Sequence, residues 1–441
     1  MSAMKKTCLI AMACIAPAAA LAHHNPRPAI LAFFGDGRPG EDPKSTLATD
    51  AAGNLYGTTS GAEGADCRHG CGTVFQLTPP ASSQTAWTEN VILTFDHDNG
   101  AYPQAGVLVD KRGHLFGTTK GGKGHHGLVY ELIPPGAGET AWKEKIHVIF
   151  DGANGEYPDG ALISDNDGNL YGTTSLGGAF GFGTVFELSS PVKGHPKWTY
   201  TLLYSFSSTD GAIPLGSLLL DKSGNLYGTT SQGGASNACT AYYANGCGTV
   251  FELSPPASGQ TSWTETVLTS FNNTDGALPA ANLIADSGGH LYGTTSLGGA
   301  STQGTVFELT PPAKGQQSWT ETVLTSFDYT DGSKPLGGLL ADAAGNLFGT
   351  TGTGGVGNRQ IQPGTVFRLS PPSGGTTDWM LTTLYSLRKN YGVVPVAGLI
   401  SDNAGNLYGT AEYCGSNITC SRRYNGGSVF ELSDTGFVPP Q

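Results

Sequence analysis

Histidine is the side chain in this chain best suited to acid–base or metal chemistry. Four of the ten histidines fall in connections within the first two copies of a repeat: His69, His97, His125 and His126. Imidazole titrates near neutral pH and is a common metal ligand. These four residues are therefore a candidate metal or acid–base site, with independent surface histidines as the alternative interpretation.

Aspartates followed by glycine are the second chemical candidate. Asp210, Asp275 and Asp331 each precede a glycine, in connections of similar sequence. Carboxylate oxygens are ligands that Ca²⁺ prefers, so calcium is the ion that these residues suggest. Asp-Gly is also an ordinary turn dipeptide, which is the alternative explanation. Nothing in the sequence requires a cofactor, and no strong catalytic motif is present.

Several aromatic residues lie in segments whose length varies between the copies of a repeat. Such residues could stack on sugar rings. Local packing is the alternative for each of them. The candidates are Phe180, Phe182, Tyr242, Tyr243, Tyr413 and Tyr424.

Six cysteines form three local pairs in the same variable segments. The expected disulfides are Cys67–Cys71, Cys239–Cys247 and Cys414–Cys420. An even number of cysteines in an exported chain favours disulfides, whereas two thiols per segment make a poor zinc site. Export is indicated by residues 1–22, in which Lys5-Lys6 and an apolar stretch precede Ala20-Leu21-Ala22, the pattern of a cleaved secretory signal. We therefore expect residues 23–441 to be a single mature domain, periplasmic or extracellular.

The elements that position these residues are set by a repeat. The phrase GNLYGTT or a close variant begins at Gly53, Gly113, Gly168, Gly224, Gly289, Gly345 and Gly405. The intervals are 55 to 65 residues, a period typical of repeat architectures. A second phrase, GTVFEL or a variant, follows each copy, and all six tryptophans lie ten residues beyond its leucine.

Each copy contains four segments with strand composition. In the fifth copy they are Asn282–Asp286, His290–Thr295, Thr305–Thr310 and Trp319–Phe327. Seven copies of four short antiparallel strands predict an all-β fold, a seven-bladed β-propeller. The last copy lacks a fourth strand, and Ala29–Phe34 near the N-terminus resembles one. We expect Ala29–Phe34 to pair with Gly427–Leu432 and close the ring; a β-solenoid is the rival fold.

An aspartate stands three residues before the glycine of every signature. We interpret these seven residues as turn caps rather than as a ring of acids. They are Asp50, Asp110, Asp165, Asp221, Asp286, Asp342 and Asp402. The glutamates of the second phrase alternate with apolar residues, which predicts solvated or blade-edge positions. They are Glu131, Glu187, Glu252, Glu308 and Glu431.

Length varies almost entirely between the second and third strands. A region that varies within a constant frame is a surface loop, where binding and catalysis concentrate. In a propeller this loop and the fourth-to-first connection emerge on one face, which we call the variable-loop face. We expect the functional site there.

Charge limits the partners. Without the two lysines of the leader, 21 basic residues face 35 acidic ones. This balance argues against nucleic acid and anionic membranes as partners. Outside the leader the sequence has no long apolar run, so we expect no insertion into a membrane. We expect a monomer, with a glycan or an extracellular protein as the partner.

The paired phrases GNLYGTTSxGG and GTVFELxPP, with W-x-E-x-VL-x-SF between copies, resemble the GloVer-type tandem repeat of the choice-of-anchor family of exported bacterial proteins. The resemblance covers roughly residues 29–432. It implies secretion and a repeated β-fold, and it carries no reaction or catalytic residues. The sequence therefore favours a secreted scaffold that binds carbohydrate or envelope components. The alternatives are a polysaccharide- or lactone-active enzyme with its site at the channel mouth, and a matrix protein with no discrete ligand.

Overall fold

The structure is a computed structural model that describes residues 26–34, 40–61, 71–81, 86–192, 194–239, 246–356, 363–388, 392–413 and 426–440. Within these ranges 28 strands form seven four-stranded antiparallel sheets. No helix occurs in the described ranges. The sheets are the blades of a ring, which confirms the predicted seven-bladed propeller.

Blades and strands are numbered in chain order, and the strands of each blade are given from the central channel outwards. The strands are, in blade 1, β2 (Ala48–Thr49), β3 (Leu55–Thr59), β4 (Thr73–Thr78) and β5 (Thr88–Thr94); in blade 2, β6 (Leu108–Val109), β7 (Leu115–Thr119), β8 (Leu128–Ile133) and β9 (Lys143–Ile149); in blade 3, β10 (Ile163–Ser164), β11 (Leu170–Thr174), β12 (Thr184–Ser189) and β13 (Thr199–Ser205); in blade 4, β14 (Leu219–Leu220), β15 (Leu226–Thr230), β16 (Thr249–Ser254) and β17 (Thr264–Ser270); in blade 5, β18 (Ile284–Ala285), β19 (Leu291–Thr295), β20 (Thr305–Thr310) and β21 (Thr320–Ser326); in blade 6, β22 (Leu340–Ala341), β23 (Leu347–Thr351), β24 (Thr365–Ser370) and β25 (Met380–Ser386); and in blade 7, β26 (Ile400–Ser401), β27 (Leu407–Ala411), β28 (Ser428–Ser433) and β1 (Arg27–Phe33).

Closure of the ring follows the prediction. Strand β1 pairs antiparallel with β28, from Arg27 opposite Ser433 to Phe33 opposite Ser428. The N-terminal strand thus completes blade 7 and leaves no unpaired edge on β28.

The glycine of the signature is required by packing. A Cβ on Gly228 would lie 2.5 Å from the ring of Phe251, which is completely buried. The same contact recurs in every blade, between the second-strand glycine and the third-strand aromatic. The two phrases are therefore halves of one packing unit.

The first threonine of each GTT joins neighbouring blades. Its hydroxyl donates a hydrogen bond to a carbonyl that borders the channel in the next blade. The seven bonds are Thr58–Ala105, Thr118–Pro158, Thr173–Gly216, Thr229–Ala281, Thr294–Gly337, Thr350–Ala397 and Thr410–Ser45. The last, at 3.1 Å, links blade 7 to blade 1.

Tryptophans fill the spaces between blades. Each stands at the start of an outer strand and packs against the signature aromatic of the preceding blade. Trp319 meets Tyr227 with ring centroids 6.3 Å apart, and Trp87 meets Tyr408 across the closure at 6.1 Å. Tryptophan therefore acts as a wedge between neighbouring blades.

The signature aspartates cap turns, as predicted. Asp50 Oδ1 accepts the N–H groups of Ala52 and Asn54, and Oδ2 accepts the Tyr56 hydroxyl at 2.9 Å. Partial burial acts to raise the pKa of Asp50, but these hydrogen bonds outweigh it and hold the pKa below its ordinary value.

Candidate functional site

The central channel is lined by the segment before the innermost strand of each blade. These segments are residues 44–47, 104–107, 159–163, 215–218, 280–282, 336–338 and 396–398, and they enclose a cavity of about 340 Å³. Glycine, alanine and serine form half of its wall. The interior of the channel is therefore nearly uniform around the ring and offers little side-chain chemistry.

The mouth of the channel on the variable-loop face is not uniform. A proline stands seven residues before each signature aspartate. The residue after this proline differs from blade to blade and lines the cavity. It is polar in blades 1 to 3 and apolar in blades 4 to 7: Lys44, Gln104, Asp159, Leu215, Ala280, Leu336 and Val396. The mouth thus has a polar half and an apolar half, a common composition for ligand sites.

Two charged residues extend the polar half. They follow the GTT or GTA phrase, where four of the other blades carry serine. Glu412 Oε1 lies 3.2 Å from Lys44 Nζ, and both side chains are largely buried. Lys120 Nζ lies 3.9 Å from Asp159 Oδ1 and 5.5 Å from the centre of the Tyr157 ring. The Lys120 ammonium group therefore interacts with both the Asp159 carboxylate and the face of the Tyr157 ring.

Gln104 adds an unused donor to this half. Its Nε2 is buried and has no hydrogen-bond partner among the residues described. A buried amide N–H without a partner costs free energy that a ligand acceptor would recover. Gln104 therefore adds to the polar half of the mouth an amide without a protein partner in the described part of the chain.

The backbone at the mouth is held in an unusual conformation. The residue before the proline has a φ between 53° and 64° in all seven blades. Ile213 and Val394 adopt it although β-branched residues rarely do. Hydrogen bonds to a neighbouring blade enforce it, as from Tyr157 N–H to the His126 carbonyl at 2.9 Å. The ring of residues before the prolines therefore presents different side chains on one rigid frame.

The predicted histidine and aspartate ligands are distributed over several blades. The rings of His97 and His125 lie 6.5 Å apart, and His126 Nδ1 lies 3.1 Å from Glu156 Oε1. His69 lies outside the described residues. No group of three potential metal ligands occurs in the described part of the chain, and the metal assignment stays a prediction.

The Asp-Gly aspartates serve their own turns. Asp210 accepts the Ser207 N–H at 2.8 Å and the Tyr204 hydroxyl at 2.7 Å. Asp275 and Asp331 accept the N–H groups of Asn272 and Asp328 in the same way. These contacts agree with the turn interpretation, which was the alternative to calcium binding.

The loop aromatics divide by environment. Phe180 is 61% exposed, whereas Phe182 packs against the core between blades 3 and 4. Tyr413 is half-buried and forms a β-bridge with Val393. Tyr242, Tyr243 and Tyr424 lie outside the described residues. A sugar-stacking role for this set stays a prediction.

The predicted disulfide Cys239–Cys247 is present. Cys71 is also disulfide-bonded and completely buried, while its expected partner Cys67 lies outside the described ranges. Cys414 and Cys420 lie outside them too, as does the predicted leader, 1–22. The described residues include no helix long and apolar enough to cross a membrane.

A second cavity lies on the opposite face, where no site was expected. It measures about 660 Å³ and separates blades 2 and 3. Glu131 does not occupy the predicted solvated or blade-edge position: it is 4% exposed at this interface, whereas Glu187, Glu252, Glu308 and Glu431 are half-buried. The alternation rule failed because both faces of a blade pack against other blades. The sequence replaces the signature asparagine by His114 here, but blade 5 has the same replacement at His290, so this change alone did not identify the site.

Comparison of the sequence with protein-family models identifies the same repeat. The model of the Gloeobacter/Verrucomicrobia repeat matches residues 23–242 and 240–422. The chain matches no curated protein by sequence.

Among solved structures, the chain resembles the extracellular domain of a candidate one component system from B. thetaiotaomicron, with a TM-score of 0.52 and 14% identity. The match covers 93% of this chain and 43% of that one. It also resembles the PQQ-bound aldose sugar dehydrogenase of Streptomyces coelicolor, with a TM-score of 0.39 and 11% identity over 93% of this chain and 98% of that one. At 14% identity, the similarity to the extracellular domain shows that the two proteins share a fold, and it shows nothing about function.

Proposed function

The chain belongs to the Gloeobacter/Verrucomicrobia repeat family, and we propose that it is an exported scaffold that binds carbohydrate at the mouth of its channel on the variable-loop face. The observation that carries the proposal is the concentration of non-repeating polar side chains on one half of that mouth. Structural needs alone would make the seven blades alike there, as they are inside the channel.

The chemistry of the mouth suits a saccharide. Sugar hydroxyls both donate and accept hydrogen bonds, and the C–H faces of the ring pack on aromatic or aliphatic surfaces. Gln104 and Lys120 offer donors, Asp159 and Glu412 offer acceptors, and Tyr157 offers a ring beside them. The apolar half, including Leu215 and Leu336, would face the less polar side of the ligand.

Export is part of the proposal. The predicted leader over 1–22 supports it, and so does the Cys239–Cys247 disulfide, because disulfides persist in oxidising compartments. A periplasmic or extracellular location would bring the mouth into contact with envelope and environmental glycans.

The test is binding of the purified mature protein to a glycan array, followed by equilibrium titration of the best ligand. Gln104→Ala and Tyr157→Ala are expected to weaken binding about tenfold or more, since each removes a ligand contact at the centre of the polar half. Lys334→Ala is the matched control, because Lys334 occupies the repeat position of Tyr157 on the apolar half and is exposed. Equal binding by all three variants, or no ligand on the array, would overturn the proposal.

The same experiment separates a scaffold from an enzyme. Binding without product formation supports the scaffold. Turnover of the bound glycan that is lost with Lys120→Gln or Glu412→Gln, at unchanged stability, would instead assign an enzyme to the same mouth.

A further inference from the structure

The cavity between blades 2 and 3 lies on the face formed by the turns that join first to second and third to fourth strands; we call it the blade 2–3 groove. The capping turns at Asp110 and Asp165 form two of its sides, and Phe116 and Trp198 form an aromatic wall. Trp198 and Phe116 pack with centroids 5.5 Å apart, as the wedge does elsewhere. The aromatic contact in the groove is thus the same as at the other inter-blade interfaces. The groove differs from those interfaces in its polar residues.

Blade 2 departs from the repeat at this groove. The signature tyrosine is replaced by Phe116, so the hydroxyl that five of the other blades donate to their capping aspartate is missing. Arg112 takes its place, with Nε 2.9 Å from Asp110 Oδ2. His114 replaces the asparagine that pairs with the aspartate in five of the other blades, and its Nδ1 lies 2.7 Å from Glu131 Oε1 instead.

A second histidine reaches the same glutamate from the outer strand. His147 is the extra residue of a β-bulge in β9, between Ile146 and Val148. The equivalent bulge residue is leucine or isoleucine in the other six blades: Leu31, Ile92, Leu203, Leu268, Leu324 and Leu384. His147 Nε2 lies 3.0 Å from Glu131 Oε2. Burial lowers the pKa of His147, although Glu131 opposes that effect.

Most acids of the groove are therefore already engaged. Both oxygens of Glu131 face imidazoles, and Asp110 is held by Arg112 and two backbone N–H groups. Asp165 accepts Asn169 Nδ2 at 2.8 Å and the Tyr171 hydroxyl at 3.2 Å. Asp167, exposed on the blade 3 side, is the acid whose carboxylate has no such partner in the described chain.

The cations are less engaged than the acids. Lys111 makes no ion pair with any described residue, and Lys145 Nζ stands 3.8 Å from Glu131 Oε2 with its side chain 57% exposed. His114 Nδ1 is occupied by Glu131, and its Nε2 makes no hydrogen bond within the described ranges. On the blade 2 side, the ammonium groups of Lys111 and Lys145 and the Nε2 atom of His114 are thus available to a ligand.

We propose that the blade 2–3 groove is a second ligand site, for a sugar residue that carries a carboxylate or a sulfate. Lys111 and Lys145 bind the anionic group, His114 positioned by Glu131 binds a neighbouring hydroxyl, and the ring packs against Trp198. Ser164 and Ser190 on the blade 3 side supply partners for the remaining hydroxyls. The site is separate from the channel mouth and goes beyond the function proposed for it.

The test is titration of the mature protein with three polymers at low salt: polygalacturonate, dextran sulfate and uncharged dextran. Binding of either charged polymer at this groove, with little binding of dextran, is the expected result, and the charged polymer that binds identifies the anionic group. Lys111→Gln combined with Lys145→Gln should weaken that binding at least tenfold, and added salt should weaken it for the wild-type protein.

Substitution of the histidine supplies a matched control. His114→Asn restores the repeat residue and should weaken binding several-fold. His290→Asn makes the same change in blade 5, where His290 Nδ1 pairs with Asp286 Oδ2 at 2.8 Å, and should have no effect. Thermal unfolding of each variant checks that the fold is retained.

Two results would overturn the groove proposal. One is equal affinity of the wild-type protein and the Lys111→Gln/Lys145→Gln variant for the charged polymers. The other is loss of that affinity in Gln104→Ala or Tyr157→Ala alone, which would assign the anionic glycan to the channel mouth and leave the proposed function standing.

Discussion

The ring of Phe437 packs on the ring of Phe348 with centroids 5.1 Å apart and planes inclined by 62°. Phe348 is the signature aromatic of blade 6, and its neighbour should be a tryptophan at the start of the outer strand of blade 7. That strand is β1, which has none. The segment after β28 therefore supplies Phe437 as the seventh wedge.

The same segment replaces a missing hydroxyl. Phe348 cannot donate to its capping aspartate as the signature tyrosines do. Val438 N–H lies 3.4 Å from Asp342 Oδ2 instead, and the Val438 carbonyl accepts the Ala343 N–H at 2.9 Å. Residues 434–440 are thus part of the interface between blades 6 and 7.

Phe437→Ala should destabilise the protein by about 3 kcal/mol, because it removes a buried ring from a contact that the other blades fill with tryptophan. Val438→Ala, at a side chain that is 48% exposed, should cost less than about 1 kcal/mol. Urea unfolding of both variants measures the difference. Equal stability of the two variants would show that the seventh wedge is not needed.

Thr410→Val should cost about 1 to 2 kcal/mol, because it leaves the Ser45 carbonyl without its donor across the closure. Thr229→Val removes the equivalent bond between blades 4 and 5 and should cost a similar amount. Thr49→Val, at an exposed threonine in the inner strand of blade 1, is the control. A loss for Thr410→Val no larger than that of the control would contradict the closing role of this bond.

Two glutamates should make stability fall as pH rises. Burial, reinforced by the charges of Asp210 and Asp275, raises the pKa of Glu265 and of Glu321 to about 7. Between the ordinary pKa near 4.5 and pH 7 the folded protein binds more protons than the unfolded chain, so the free energy of unfolding decreases across this window.

Glu265→Gln combined with Glu321→Gln should therefore stabilise the protein at pH 8, by about 1 kcal/mol for each carboxyl after allowance for solvent screening. At pH 5 the gain should be a small fraction of that value. Urea unfolding at both pH values measures it. A gain that is the same at pH 5 and pH 8 would show that these carboxyls are ionised in the folded protein.

Cys239→Ser combined with Cys247→Ser should lower the free energy of unfolding by roughly 2 kcal/mol, because the bond closes a short loop in the unfolded chain. A reducing agent should lower the melting temperature of the wild-type protein more than that of this variant. Equal sensitivity to reduction would mean that this disulfide does not contribute to stability.

The sequence alone predicted the features that are local or periodic. The number of blades, the pairing of β1 with β28 and the capping by Asp50 and its equivalents all follow from spacing and turn chemistry. The variable-loop face was also predicted, and the polar half of the channel mouth lies on it.

Features that depend on contact between blades were not predicted. The role of Thr410 requires the position of Ser45 in another blade. His147 reaches Glu131 because of a β-bulge, and bulges depend on the pairing of two strands rather than on the composition of one. Glu131 was expected at a solvated or blade-edge position because alternation along β8 says nothing about the blade that covers it.

The most direct test of the proposed function is a crystal structure of the mature protein with the glycan that binds best on the array. The account predicts a sugar at the channel mouth on the variable-loop face, within hydrogen-bond distance of Gln104 Nε2 and in contact with the Tyr157 ring. A sugar bound elsewhere, with the mouth left empty, would contradict it.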